Sequence, residues 1–116
     1  MRLSAATRRK YRSALWELRS ECPCAHPVRV RLLPGPSRFF GLSNISRDGG
    51  SFNVRLYRRI VEADGRTRAV TRQELLDALV HEWAHVLSWS ASHRLEAHDP
   101  SWGVAYARCY QATCED

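Results

Sequence analysis

The chain has 116 residues, of which 44% are hydrophobic and 26% are charged, and these values fit one globular domain rather than two domains or a disordered chain. No apolar run approaches the roughly 20 residues of a membrane-spanning helix, and the basic, polar start of the sequence lacks the apolar segment of a secretion signal. We therefore expect a cytoplasmic protein with no membrane partner. The net charge of +6 is compatible with an anionic partner such as DNA, although charge alone defines neither a fold nor a function.

The first half of the sequence predicts one helix followed by three strands. Ser4 is a suitable N-cap for a helix that runs to about Glu21, with apolar residues at helical spacing. The apolar period then changes to two, which predicts strands over residues 27–32, 39–46 and 51–61. Because short turns join these strands, we expect a three-stranded antiparallel meander.

Two further helices are predicted in the second half. Residues 71–74, Thr-Arg-Gln-Glu, form a capping box in which the first and last side chains each bond the other residue's backbone amide. The helix that follows runs to about Trp89 and carries a broad apolar surface, which is typical of a central, buried helix. After a loop, Asp99-Pro100 begins a last helix that ends near Ala112. The pattern as a whole predicts an α+β fold in a single domain that covers the whole chain, residues 1–116.

Residues 81–85, His-Glu-Trp-Ala-His, match the H-E-x-x-H pattern inside the second predicted helix. Because His81 and His85 are one helical turn apart, both imidazoles lie on one face and can bind the same metal ion. Glu82 follows the first histidine, and its carboxylate can accept a proton from water whose pKa a bound Zn²⁺ lowers. The pattern predicts one catalytic Zn²⁺ with Glu82 as general base. The alternative is a helix that carries two histidines by chance.

A catalytic zinc site needs a third protein ligand, and the loop before the last helix contains several candidates. We favour His98, which lies just before the start of that helix, where the loop can bring it back to the metal. Glu96 is the main alternative, because carboxylates also complete such sites. His93 follows the helix too closely to fold back easily.

The motif at residues 81–85, followed after a short loop by His-Asp-Pro-Ser-Trp at residues 98–102, resembles the zinc site of the SprT-like metallopeptidases. This family includes the Spartan-type DNA–protein crosslink proteases and the related WLM group. The resemblance extends over roughly residues 12–111, and its specific motif residues lie in the second half. It implies a zincin-like fold and hydrolysis of peptide bonds in a protein or peptide substrate. Proteins associated with DNA are a candidate substrate, but the sequence shows no DNA-binding zinc ribbon, and the resemblance alone does not support a DNA-dependent activity. The site residues that it implies are the zinc ligands His81, His85 and His98 and the general base Glu82.

Two details of the resemblance bear on the third ligand. Asp99 stands where the SprT-like family usually has glycine. A chain this short also resembles the minigluzincins, whose third ligand is a glutamate, and that family would make Glu96 the ligand here.

Two surfaces are candidates for binding a partner. An edge strand near the metal can pair with an extended substrate backbone, and Phe52, Asn53 and Val54 in residues 51–57 can supply it unless both strand edges are already paired. Contact with DNA has five candidates on and beside the predicted strands, namely Arg29, Arg31, Arg55, Arg58 and Arg59. The alternative to a peptidase is therefore a non-catalytic, zinc-stabilised module that docks on nucleic acid through arginine.

The four cysteines fall into two pairs at the ends of the first and last predicted helices, Cys22 with Cys24 and Cys109 with Cys114. If these helix ends meet, the four side chains could hold a structural Zn²⁺, form two disulfides, or remain free thiols. Tyr106 and Tyr110 in the last helix are candidates for stabilising an oxyanion, and core packing is the alternative role for both.

Overall fold

The computed structural model describes residues 3–92 and 100–114 and has the predicted α+β class. None of the helices in these two ranges is long and apolar enough to cross a membrane. In chain order the elements are α1 (Ala5–Glu21), β1 (Val28–Leu33), β2 (Gly41–Ile45), β3 (Phe52–Tyr57), β4 (Arg59–Val61), β5 (Thr67–Ala69), α2 (Arg72–Ser92) and α3 (Pro100–Cys114).

The predicted N-caps Ser4 and Thr71 are confirmed, and the third predicted cap, Asp99, lies outside the described residues. The Ser4 hydroxyl accepts a hydrogen bond from the Thr7 amide at 3.1 Å. At the start of α2, the Glu74 amide donates to the Thr71 hydroxyl at 3.1 Å, and the Thr71 amide donates to the Glu74 carboxylate at 2.9 Å. The same carboxylate binds both terminal nitrogens of the Arg68 guanidinium, each at 2.7 Å. The capping box therefore also attaches α2 to β5.

The main sheet has the strand order β1-β3-β2, and the expected antiparallel meander is wrong for β1. β1 pairs with β3 in parallel, with Val28 opposite Phe52, whereas β2 pairs with β3 antiparallel, with Ile45 opposite Phe52. Every second residue of β3 is buried, which makes it the most deeply buried strand of the sheet. The central position suits such a strand, because it lets both of its edges be hydrogen-bonded inside the fold.

The predicted strand over residues 51–61 is divided at Arg58 into β3 and β4. The Arg58 amide donates to the Leu33 carbonyl of β1 at 2.9 Å, and the Arg58 carbonyl accepts from the Val70 amide at 2.9 Å. The chain therefore leaves the main sheet at this residue. β4 pairs antiparallel with β5, a short strand that sequence patterning did not predict because its residues are largely polar and exposed.

Helix α2 lies at the centre of the core and contacts α1, α3, β2 and β3. The indole nitrogen of the buried Trp83 donates to the Cys22 carbonyl at 2.9 Å, which ties α2 to the end of α1. Apolar side chains from all three helices and from one face of the sheet form one cluster, whose largest fully buried members are Trp83, Phe52, Leu18, Leu56, Leu75 and Leu79.

We expect Glu74→Ala to lower the free energy of unfolding by about 1–2 kcal/mol, because it removes a helix cap and a bidentate ion pair. The Arg68 guanidinium lowers the pKa of Glu74 to about 2 in the folded protein, below the value of about 4.3 for an unfolded chain. The stabilisation is therefore complete above that unfolded value and is lost as the pH falls toward 2. Urea unfolding at pH 7 and at pH 2.5 measures the difference.

Glu62→Ala is the matched control, since Glu62 is an exposed residue whose carboxylate lies 3.5 Å from the Arg68 guanidinium. We expect a change of less than about 0.5 kcal/mol for this variant. An equal loss in the two variants, or a loss for Glu74→Ala that does not diminish in acid, would contradict the assignment.

Candidate active site

His81 and His85 point toward a common position on one face of α2. Their Nε2 atoms are 3.1 Å apart, and their ring centroids are 4.8 Å apart. Two imidazole ligands of a tetrahedral zinc ion, with metal–nitrogen bonds of about 2.0–2.1 Å, have nitrogens about 3.3–3.4 Å apart. The distance between the two rings therefore fits a shared metal ion with a shift of a few tenths of an ångström.

Helix α3 packs against the histidine pair through Trp102. The centroid of its indole lies 5.2 Å from the His81 ring and 5.6 Å from the His85 ring. His85 is only 5% exposed, whereas the side chain of His81 is 39% exposed. The histidine pair is therefore held by packing on one side and open to solvent on the other.

Tyr106 and Tyr110 follow Trp102 along α3. Tyr106 stacks on Trp102 at 5.0 Å between centroids, and Tyr110 lies 6.2 Å from Tyr106 with about half of its surface exposed. The stacking gives Tyr106 a packing role behind Trp102. Tyr110 is farther along the helix from the histidine pair.

Glu82 is buried against the sheet, on the side of α2 that faces β2. It is 8% exposed, and its carboxylate accepts a hydrogen bond from the Ser43 hydroxyl of β2. Its Oε2 lies 4.0 Å from the His81 Nε2. The carboxylate is therefore held beside the position toward which the two imidazoles point. Because burial without a partner would be costly, the Ser43 hydroxyl stabilises Glu82 in this place.

Gly41 allows β2 to approach Glu82 closely. A β-carbon at this position would lie 2.9 Å from the Leu56 Cδ2, 3.0 Å from the Glu82 Cγ and 3.2 Å from the Arg55 carbonyl oxygen. Glycine is therefore the residue that fits without displacing a neighbour. Gly41 and Ser43 are two residues apart in β2, so they lie on the same face of the strand. The Gly-x-Ser pattern is the signal in the sequence that could have indicated this position.

The strand expected to bind substrate is the wrong one. β3, which contains Phe52, Asn53 and Val54, is paired with β1 on one edge and with β2 on the other. Its backbone therefore has no free edge for a substrate. Of the strands in the described part of the chain, β2 is the edge strand that contacts α2, and Ser43 of β2 touches Glu82.

A cavity of about 420 Å³ opens directly beside His81 and Glu82. The segment before β2 carries the exposed Phe39 and Phe40, which form one wall. Sequence analysis did not identify this cavity, because its two walls are brought together by the fold. Its lining consists of residues 38–41 on one side and, on α2, of Glu74, Asp77, Ala78, His81 and Glu82.

The candidates for the third metal ligand, His98, Glu96 and His93, lie outside the described residues. Within residues 3–92 and 100–114, no group of three or more His, Cys, Asp or Glu side chains is arranged to hold a metal ion. The described part of the site contains two imidazoles, those of His81 and His85, and one carboxylate, that of Glu82.

The five candidate arginines separate into two groups. By strand register and alternation, Arg29, Arg31 and Arg55 share the face of the main sheet that points away from the helices. Arg58 instead lines a pocket beside α1, and the Arg59 guanidinium donates to the Thr67 hydroxyl at 3.2 Å in the small sheet. The fold therefore brings Arg29, Arg31 and Arg55 together on one face of the main sheet and places Arg58 and Arg59 elsewhere.

The described cysteines, Cys22, Cys24 and Cys109, are free thiols. Burial raises the pKa of Cys24 to about 11, and burial together with the neighbouring Cys22 also raises the pKa of Cys109. The thiols of Cys24 and Cys109 are therefore protonated at neutral pH, which disfavours nucleophilic reaction. The side chain of Cys114 lies outside the described set.

No protein-family model, curated protein or solved structure matches this chain. The chemistry of the site is inferred from its own side chains, as they are arranged between β2, α2 and α3.

We expect Gly41→Ala to destabilise the protein by about 1–3 kcal/mol, because the added methyl group must displace Leu56 or Glu82. Gly103→Ala in α3 is the matched control. Its new β-carbon meets no atom of residues 3–92 or 100–114 within 4 Å, and alanine is a better helix former than glycine, so we expect a gain of up to about 1 kcal/mol. Urea unfolding of the two variants measures both effects, and equal stability of the two would contradict the close approach of β2 to α2.

Proposed function

We propose that this chain is a zinc-dependent peptidase with a zincin-like site, as its resemblance to the SprT-like metallopeptidases implies. The observation that carries the proposal is the position of His81, His85 and Glu82. Two imidazole nitrogens lie 3.1 Å apart, and a buried carboxylate oxygen lies 4.0 Å from one of them. If the two histidines occurred in the helix by chance, there would be no reason for a carboxylate to be buried and hydrogen-bonded beside them.

The residues present fit a zinc ion. Neutral imidazole nitrogen is a preferred zinc ligand, and the spacing of the two nitrogens agrees with a tetrahedral site. We propose His98 as the third ligand, with Glu96 as the alternative. Bound zinc would supply a Lewis acid and would lower the pKa of a water molecule in the site.

In this mechanism Glu82 holds and moves the proton. Its carboxylate accepts a proton from the attacking water and then delivers it to the nitrogen of the leaving amine. The hydroxyl of Ser43 donates to the same carboxylate and keeps it oriented toward the histidine pair. The low exposure of Glu82 limits competing hydrogen bonds from bulk solvent.

The edge of β2 that pairs with no strand of the described residues is the proposed position of the substrate backbone. An extended peptide can add to an exposed strand edge through main-chain hydrogen bonds. Since Ser43 of β2 contacts Glu82, a peptide on this edge would pass beside the general base. The edge strand thus supports a protein or peptide as the substrate class.

We expect Glu82→Gln to reduce the cleavage of casein by about 10²- to 10⁴-fold while the protein keeps its zinc, because glutamine cannot accept the proton.

We expect wild-type protein to hold about one equivalent of zinc and His98→Ala to lose most of it, because a catalytic site uses three protein ligands. Elemental analysis after dialysis and a cleavage assay on the same preparations measure the two properties.

Glu62→Gln, a change at an exposed residue outside the site, is the control and should leave both zinc content and cleavage unchanged. Retention of zinc in His98→Ala together with its loss in Glu96→Ala would transfer the ligand role to Glu96. Equal cleavage by wild type and Glu82→Gln would refute the peptidase.

The second candidate function is docking on nucleic acid, which the outward face of the sheet favours. Arg29 and Arg31 are exposed, and Arg31 lies opposite Arg55 in the register of β1 and β3. The Arg55 Nε is buried, and it has no hydrogen-bond partner among the described residues. The exposed guanidinium groups of Arg29 and Arg31, with the half-buried Arg55 beside them, attract phosphates, and this surface is compatible with a peptidase that acts on DNA-associated proteins.

We expect replacement of Arg29, Arg31 and Arg55 by Gln to weaken binding of a 20-nucleotide single strand and to lower the slope of log K against log salt by about 2–3. The matched control replaces three exposed arginines elsewhere on the surface, Arg9, Arg47 and Arg66. Fluorescence anisotropy across a range of salt concentrations measures both proteins. An equal loss in the two triple variants would show non-specific attraction by net charge and would refute the sheet face as the docking site.

A further inference from the structure

The cavity beside His81 and Glu82 has a wall of two exposed aromatic rings. Phe39 is 58% exposed and Phe40 is 37% exposed, although both are large apolar side chains. Ala78 of α2 forms part of the opposite wall. We call this cavity the Phe39 pocket. Exposed aromatic side chains that face a cavity next to a candidate site provide apolar area for the stem of a ligand side chain.

The charges of the Phe39 pocket are arranged along α2. Glu74, Asp77 and His81 recur at helical spacing, so they lie along one stripe of the helix. Glu74 is already paired with the guanidinium of Arg68. The exposed Asp77 carboxylate accepts a hydrogen bond from the neutral Gln73 amide at 2.8 Å, so its negative charge is not neutralised by that contact.

The distance along the helix sets the length of the side chain that fits. Asp77 precedes His81 by four residues, which corresponds to about 6 Å at 1.5 Å per residue. A side chain that starts beside the histidine pair must therefore be long and extended to reach Asp77. Lysine and arginine have such a stem, with a cationic group at its end.

We propose that the Phe39 pocket binds a lysine or arginine side chain of the substrate, at a residue adjacent to the scissile bond. Its stem packs on Phe39 and Phe40, and its cationic head binds the Asp77 carboxylate. The proposal rests on the peptidase function and adds a substrate class to it, namely basic protein segments. Arg38 also lines the pocket, so the attraction of the Asp77 carboxylate must exceed the repulsion from this guanidinium for a basic side chain to bind.

The test measures binding separately from cleavage. Protein carrying Glu82→Gln, in buffer with zinc, is titrated into fluorescein-labelled alanine-based peptides that differ at one central residue, which is Lys, Arg, Leu or Glu. We expect the Lys and Arg peptides to bind about fivefold more tightly than the Leu peptide, which is the effect of a favourable exposed ion pair with Asp77. The Glu peptide should bind most weakly.

Further variants in the same background assign the two parts of the pocket. Asp77→Asn should abolish the preference for Lys and Arg over Leu, whereas Asp64→Asn, at an exposed aspartate in the loop between β4 and β5, should leave it unchanged. Phe39→Ala should weaken the Lys, Arg and Leu peptides alike. Equal binding of the Lys and Leu peptides, no binding of any peptide, or a preference that survives Asp77→Asn would overturn the proposal.

Cleavage of the same peptides by wild-type protein separates this inference from the proposed function. Selective binding without cleavage would refute the peptidase and retain the charge preference of the pocket. Cleavage without a preference for basic residues would retain the peptidase and refute the pocket assignment.

Discussion

The burial of α2 is the constraint on which the rest of the structure depends. The helix contacts the sheet on one side and α1 and α3 on others, so most of its side chains have little freedom to move. Glu82 and His85 are polar residues of this buried helix, at 8% and 5% exposure. A buried polar group needs a partner, and Ser43 provides one for Glu82. The same packing that stabilises the fold therefore also positions the groups of the candidate site.

The parallel pairing of β1 with β3 decides which strand borders the site. With β1 beside β3, β2 lies at the edge of the sheet, next to α2. Gly41 and Ser43 are small, so the edge strand approaches the helix closely enough to touch Glu82. A meander in chain order would have placed β2 in the middle and left β3 with a free edge.

The two proposed functions use different surfaces of the molecule. The candidate active site lies between β2, α2 and α3, whereas Arg29, Arg31 and Arg55 lie on the opposite face of the sheet. The period of two in the strands separates them, because alternate residues point to opposite faces. Binding of an anionic partner to the arginines therefore leaves the Phe39 pocket and the β2 edge accessible, and the two functions are compatible in one domain.

The sequence by itself determined the features that depend on neighbours along the chain. These are the caps of α1 and α2, the helical register of His81 and His85, and the alternation of the strands, because each follows from contacts within a few residues. Only the tertiary structure decided the strand order, the contact of Ser43 with Glu82, and the cavity between Phe39 and Asp77. Each of these joins residues far apart in sequence. Local patterning does not distinguish between the possible arrangements of the strands, and the burial of α2 selects one of them.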